Sequence, residues 1–139
     1  MDELQARIIA HEGKSKSAYQ DSLGYWTIGI GRLCDKRFDA GLSPDEMLYL
    51  LSNDINNAKQ EMNQFPWFTK LDDVRQGVLI ELNFNIGLTH LLEFKSMITY
   101  LIHSDFSNAA EAMLDSLWAK QVGVNRSTDM ANRLRTGTY

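Results

Sequence analysis

The chain has 139 residues, of which 44% are hydrophobic and 10% aromatic, with a formal net charge of −4. That length and composition exclude a disordered segment and suit one folded domain with its own core. The charge is uneven, with eleven acidic and four basic side chains over residues 41–118, which argues against non-specific binding to nucleic acid.

Residues 3–12 read as an amphipathic helix, with Leu4, Ile8 and Ile9 on one face and Gly13 as its stop. Glu12 then lies in the last turn. Residues 17–33 change character, because Tyr19, Tyr25, Trp26, Thr27, Ile28 and Ile30 are strand formers. Asp21-Ser22-Leu23-Gly24 suits a type I turn, so the stretch predicts a β-hairpin with a short third strand after Gly29 and Gly31.

Ser43-Pro44-Asp45-Glu46 combines an N-cap serine, a proline at the first helical position and a glutamate at the third. The helix it opens carries Met47, Leu48, Leu51, Ile55, Ala58 and Met62 at helical spacing and is expected to end near Phe65-Pro66. Its two ends have different neighbours, which suggests a link between a small β-containing lobe and a helical lobe. Asp72 or Asp73 can cap a central core helix with Val74, Val78, Leu79, Leu82 and Ile86 turned inward, closed by Gly87. Helices near 90–103 and 108–119 follow, the second with Ser107 as its cap, and a last one runs from Asn125 to Arg135. The fold class is therefore α+β, mainly α.

Two carboxylates stand out by context. Hydrolysis of a glycosidic bond needs an acid to protonate the leaving oxygen, and a carboxylate to activate water or steady the oxocarbenium ion. The C-terminal end of a helix carries partial negative charge, which favours a protonated Glu12, as a general acid requires. Asp21, in a polar turn, is expected to stay ionised. Thr27 could hold a water beside it. Each residue also has a plain structural explanation: a turn-forming Asp, a helix-end Glu, a strand-forming Thr. Spacing alone does not choose between them.

Other side chains offer less. His11, His90 and His103 lack metal-ligand spacing, so no metal or cofactor is expected. Cys34 cannot form an internal disulfide and lies beside Asp35, which disfavours a thiolate, so it is read as a semi-buried small apolar residue. No apolar run approaches the ~18 residues of a membrane span. The Met1-Asp2-Glu3 start lacks the basic-then-apolar pattern of a signal peptide, so a cytosolic product is expected.

Taken together, residues 11–33 read His-Glu-Gly, then Ala-Tyr-Gln-Asp-Ser-Leu-Gly-Tyr-Trp-Thr-Ile-Gly-Ile-Gly-Arg-Leu. This run resembles the T4-type phage lysozymes, the endolysin muramidases of glycoside hydrolase family 24. Leu82-Asn83-Phe84-Asn85-Ile86-Gly87, Phe94-Lys95-Ser96, Asn125-Arg126 and Arg135-Thr136-Gly137-Thr138-Tyr139 extend the resemblance over most of the chain. It departs at Arg32, where the family commonly has His, and that puts a supporting pair in question.

The resemblance implies a single lysozyme-like catalytic domain over 1–139. Its β-containing lobe would span about 13–43 and its helical lobe about 60–139, with the first helix packed on the latter. It implies Glu12, Asp21 and Thr27 as catalytic residues, cleaving the β-1,4 bond between N-acetylmuramic acid and N-acetylglucosamine in peptidoglycan. Inversion is expected, with the carboxyl groups roughly 6.5–9.5 Å apart. Arg126 would reach and orient Glu12, while Leu33, Phe84, Ser96 and Asn125 would line the glycan groove. A monomer is expected, released from the host cytoplasm to the wall through a separate holin, without stable membrane insertion. The alternatives are a non-catalytic wall-binding module of the same fold and a lytic transglycosylase, which needs the Glu but not the Asp.

Overall fold

A computed structural model describes residues 2–35 and 40–139. The first helix, α1 (Glu3–Glu12), is set by its caps. The Asp2 carboxylate accepts the Gln5 N–H at 2.7 Å, while the Gln5 side chain accepts the Asp2 N–H at 3.1 Å. This reciprocal box satisfies two donors that a helix start leaves open. At the other end Gly13, at φ +74°, donates its N–H to the Ile9 carbonyl at 2.8 Å and turns the chain away. Only glycine takes that backbone without strain.

Three antiparallel strands follow: β1 (Ser15–Gln20), β2 (Trp26–Gly29) and β3 (Arg32–Leu33), in the order β1-β2-β3. Tyr19 faces Thr27 across the first pair and Leu33 faces Thr27 across the second. Thr27 thus sits on the middle strand between two neighbours. The expected hairpin with its short third strand is present, although β1 begins two residues earlier than the strand formers suggest.

The long helix α2 (Pro44–Met62) starts at the predicted proline. Ser43 Oγ accepts the Glu46 N–H at 3.3 Å and the Glu46 carboxylate accepts the Ser43 N–H at 2.7 Å. The chain separates into two units, Met1–Leu50 and Leu51–Tyr139, and α2 runs through the division.

In the second unit come α3 (Pro66–Thr69), α4 (Asp73–Ile86), α5 (Leu88–Leu91), α6 (Lys95–Ile102), α7 (Phe106–Leu114), α8 (Leu117–Val122) and α9 (Val124–Thr136). Asp72 is the cap of α4, accepting the Arg75 N–H at 3.0 Å. Val78, Leu79 and Leu82 of α4 are fully buried and meet Met62, Phe68, Leu91, Met97, Met113, Met130 and Leu134 in one apolar core. α7 packs on both α6 and α9. Arg75 ties this core to the end of α9: its guanidinium donates to the Leu134 and Arg135 carbonyls at 2.7 and 2.8 Å and lies 3.5 Å over the Phe106 ring. Those carbonyls are among the acceptors that a helix end leaves unpaired.

Two boundaries differ from expectation. The helix expected over 108–119 is two helices, because Ser116 takes the Ala119 N–H at 3.2 Å and restarts the chain. Its first part is capped by Asp105, not Ser107, because the Asp105 carboxylate reaches the Asn108 N–H at 3.3 Å. Ser107 becomes the second residue of α7. The helix expected over 90–103 is likewise split, into α5 and α6 around Phe94. Among the described residues no helix is long and apolar enough to cross a membrane.

Candidate active site

The proposed catalytic side chains all belong to the first unit. Glu12 ends α1 with its side chain exposed, and its carboxylate lies against the turn joining β2 to β3. A Cβ placed on Gly31 would stand 2.7 Å from Glu12 Oε2 and 2.9 Å from its Cδ, closer than unbonded carbon ever comes. Gly31 also has φ +69°. The left-handed backbone favours glycine there, and a methyl at this position would push the Glu12 carboxylate aside.

Asp21 stands at the start of the turn from β1 to β2 and is partly buried. Its Oδ1 accepts two backbone N–H groups, from Leu23 at 2.9 Å and Tyr25 at 2.8 Å. Such bonds fix the side chain's rotamer while they shape the turn. Among the described residues Oδ2 accepts no hydrogen bond.

Thr27 is the buried hydroxyl of this unit, with 4% of its surface exposed. Its Oγ1 donates to the Tyr25 carbonyl at 3.0 Å, the same oxygen that accepts the Asp21 N–H at 2.9 Å. One carbonyl thus fixes the backbone of Asp21 and the hydroxyl of Thr27 together. Because the Thr27 proton is already used, its oxygen can only accept from a further partner. Leu33, half-buried on β3, is the cross-strand neighbour of Thr27.

Arg32, the residue that departs from the common pattern, has a partner. Its guanidinium grips the Glu46 carboxylate with two bonds of 2.7 and 2.6 Å and donates to the Gly41 carbonyl at 3.1 Å. The Arg32 hydrogen bond, then the Ser43 N–H and the positive charge of Arg32, hold the Glu46 carboxyl down at about 2. Sequence reading took Glu46 only as part of a helix cap. Nothing in its spacing announces the second role, since Arg32 lies fourteen residues away.

The remaining candidates lie in the second unit. Phe84, on α4, exposes half its surface. Ser96, the second residue of α6, borders a cavity of about 570 Å³ that Phe94, Lys95 and Trp118 also line. The Trp118 indole N–H is held there by Asn85 Oδ1 at 2.8 Å. Asn125 is exposed near the start of α9. Arg126 meets Glu81 at 3.7 Å, beside the tighter pair of Arg133 with the same carboxylate at 2.7 Å. Glu81 was not anticipated as a partner. Cys34, which directly follows β3, is exposed, not semi-buried as expected. Among the described residues no cluster of His, Cys, Asp or Glu could hold a metal.

The sequence matches the family model for phage lysozyme over residues 9–135. The chain belongs to the phage lysozyme family. This makes it a lysozyme-like peptidoglycan hydrolase. Among relatives, it is 25% identical to the "Probable T4-type lysozyme 1" of Dictyostelium discoideum, over 91% of this chain and 90% of that one. The "Probable T4-type lysozyme 2" of the same organism is 24% identical with the same coverage. The "Pre-baseplate central spike protein Gp5" of Enterobacteria phage T4 is 24% identical over 79% of this chain, which is 24% of that longer protein. The chain thus matches almost the whole length of the first two relatives and about a quarter of the third.

Proposed function

We propose that this protein is a muramidase that cleaves the β-1,4 bond between N-acetylmuramic acid and N-acetylglucosamine, with Glu12 as general acid and Asp21 as general base. The observation that carries the reading is the local anchoring of the three residues around one small sheet: the Glu12 side chain against Gly31, the Asp21 carboxylate on the Leu23 and Tyr25 N–H groups, and the Asp21 N–H and the Thr27 hydroxyl both on the Tyr25 carbonyl.

The chemistry follows from what each atom has left to offer. The Glu12 carboxyl gives its proton to the glycosidic oxygen as the bond to C1 breaks. A water donates one hydrogen bond to Asp21 Oδ2 and one to Thr27 Oγ1, both of which can accept. Its lone pair is then the part free to attack C1. Asp21 takes the proton as the new C–O bond forms, and exchange with solvent returns both carboxyl groups to their starting forms. Attack from the face opposite the leaving group inverts the anomeric centre. Leu33, adjoining Thr27, would contact the sugar, and Phe84, Ser96 and Asn125 would add contacts to the glycan. Arg126 would keep a supporting role. In this reading the protein serves wall lysis from a host cytoplasm, with a separate holin providing release.

The test is the identity of the new chain ends. Purified peptidoglycan is digested, the ends are reduced with borohydride, and the sugars are separated after acid hydrolysis. Muramitol is expected, with the α anomer as the first product seen by proton NMR. Glucosaminitol would mean the other bond is cut, anhydromuramic acid a transglycosylase, and no new ends a wall-binding module without catalysis.

A further inference from the structure

The proposed acid has one wall of its own. From Cγ outward, the Glu12 side chain rests on Gly31, and the next residue is Arg32. What holds Gly31 in place therefore decides where the Glu12 carboxyl points. Among the described residues, the β2–β3 turn is otherwise held by backbone hydrogen bonds. β3 is two residues long, pairing Thr27 with Leu33 and Ile28 with Arg32, and the Cys34 N–H just after it donates to the Trp26 carbonyl at 2.9 Å. No buried apolar side chain lies in this stretch, since Ile28 and Ile30 are 36% and 44% exposed.

The Arg32 guanidinium supplies a side-chain anchor. It makes a two-pronged bond to Glu46 and a third bond to Gly41 O. Glu46 is itself fixed by the Ser43 N–H at the start of a 19-residue helix. A planar fork on a carboxylate defines direction as well as distance, which a single ammonium contact does not. The path is continuous: the start of α2, Glu46, Arg32, Gly31, Glu12.

We propose that Arg32 and Glu46 are positioning residues for Glu12, a clamp that sets the β2–β3 turn and through it the orientation of the catalytic carboxyl. This rests on Glu12 being the acid. The clamp touches neither substrate nor reacting atoms. It acts on the rate of the chemical step and not on binding. A carboxyl that swings by about an ångström loses its alignment with the glycosidic oxygen, and such misplacements cost one to two orders of magnitude.

The test compares the native enzyme with Arg32→Gln, Glu46→Gln, the double variant, and Arg32→Lys, using soluble peptidoglycan fragments. Each variant is assayed at least 10 °C below its own melting temperature, so that loss of fold does not enter. Each single Gln variant is expected to lower kcat about tenfold with KM within about twofold. The double variant should fall no further than the worse single one, because both break the same link. Arg32→Lys should recover less than half of the loss on a logarithmic scale, for want of the fork. A readout independent of turnover is the carboxyl ¹³C resonance of Glu12, assigned by its disappearance in Glu12→Gln. It should shift in both single variants. An unchanged kcat, a change confined to KM, an unmoved Glu12 resonance or additive losses would each overturn the clamp. Those results leave the acid assignment standing so long as Glu12→Gln itself is inactive, whereas an active Glu12→Gln would remove that assignment first.

Discussion

The two units of the chain are built on opposite principles. Among the described residues up to 50, the buried ones are Thr27 and Asp35, both polar. From 51 onward a continuous apolar core runs through Met62, Leu79, Leu82, Met113 and Leu134. The first unit is therefore shaped by turns, glycines and directed hydrogen bonds, each tied to one backbone position. The second is held by non-directional packing spread over many side chains. The catalytic site proposed for the first unit needs orientation within fractions of an ångström, which directed bonds can supply. Stability needs area, and the helical unit supplies that.

The contrast can be tested by breaking each unit in its own way. The largest effect on stability is expected from Phe68→Ala, whose ring is fully buried. It should cost about 3–5 kcal/mol in denaturant unfolding. Per folded molecule it should leave kcat near the native value. Next is Gly31→Ala. The added methyl collides with Glu12 and the backbone has positive φ, so kcat should fall about a hundredfold, while stability falls by only about 1–2 kcal/mol. Equal damage to fold and rate would erase the division of labour.

A smaller effect is expected from Asp72→Ala, which removes the cap of α4 and the ion pair with Arg75 at 2.8 Å. About 1 kcal/mol of stability should be lost, measured by thermal melts, with kcat unchanged. The smallest is a pH effect. The Glu46 carboxyl is held at about 2, below its ordinary 4.5, so its contribution is present above pH 4.5 and fades as pH falls toward 2. Melting temperatures of the native protein and Glu46→Gln should differ at pH 6 and converge near pH 2. A gap that stayed constant down to pH 2 would deny Glu46 that role.

How much of this was legible in the sequence follows the same division. The cap at Ser43-Pro44, the stop at Gly13 and, as one of two adjacent candidates with Asp73, the cap at Asp72 were readable, because each signal and its structural consequence lie within four residues. The inward positions Val78, Leu79 and Leu82 were readable from period alone. The break at Asp115–Ser116 was not, because a continuous helix and two capped ones share the same apolar spacing there. In the candidate site, Glu12, Asp21 and Thr27 became a set only through resemblance to a family. Their individual positions also suit ordinary structural roles. The links that hold them were illegible for a different reason. Gly31 against Glu12, Arg32 on Glu46 and the doubly used Tyr25 carbonyl are contacts in space between residues whose spacing carries no periodic signal.

The most direct measurement is the release of reducing ends from purified peptidoglycan by the native protein and by Glu12→Gln, with folding of both checked by circular dichroism. A native protein that releases reducing sugar, and a folded variant at least a thousandfold slower (about 4 kcal/mol of barrier), is the predicted result. A Glu12→Gln protein that still turns over at a near-native rate, or a native protein that binds the wall and releases nothing, would contradict the account.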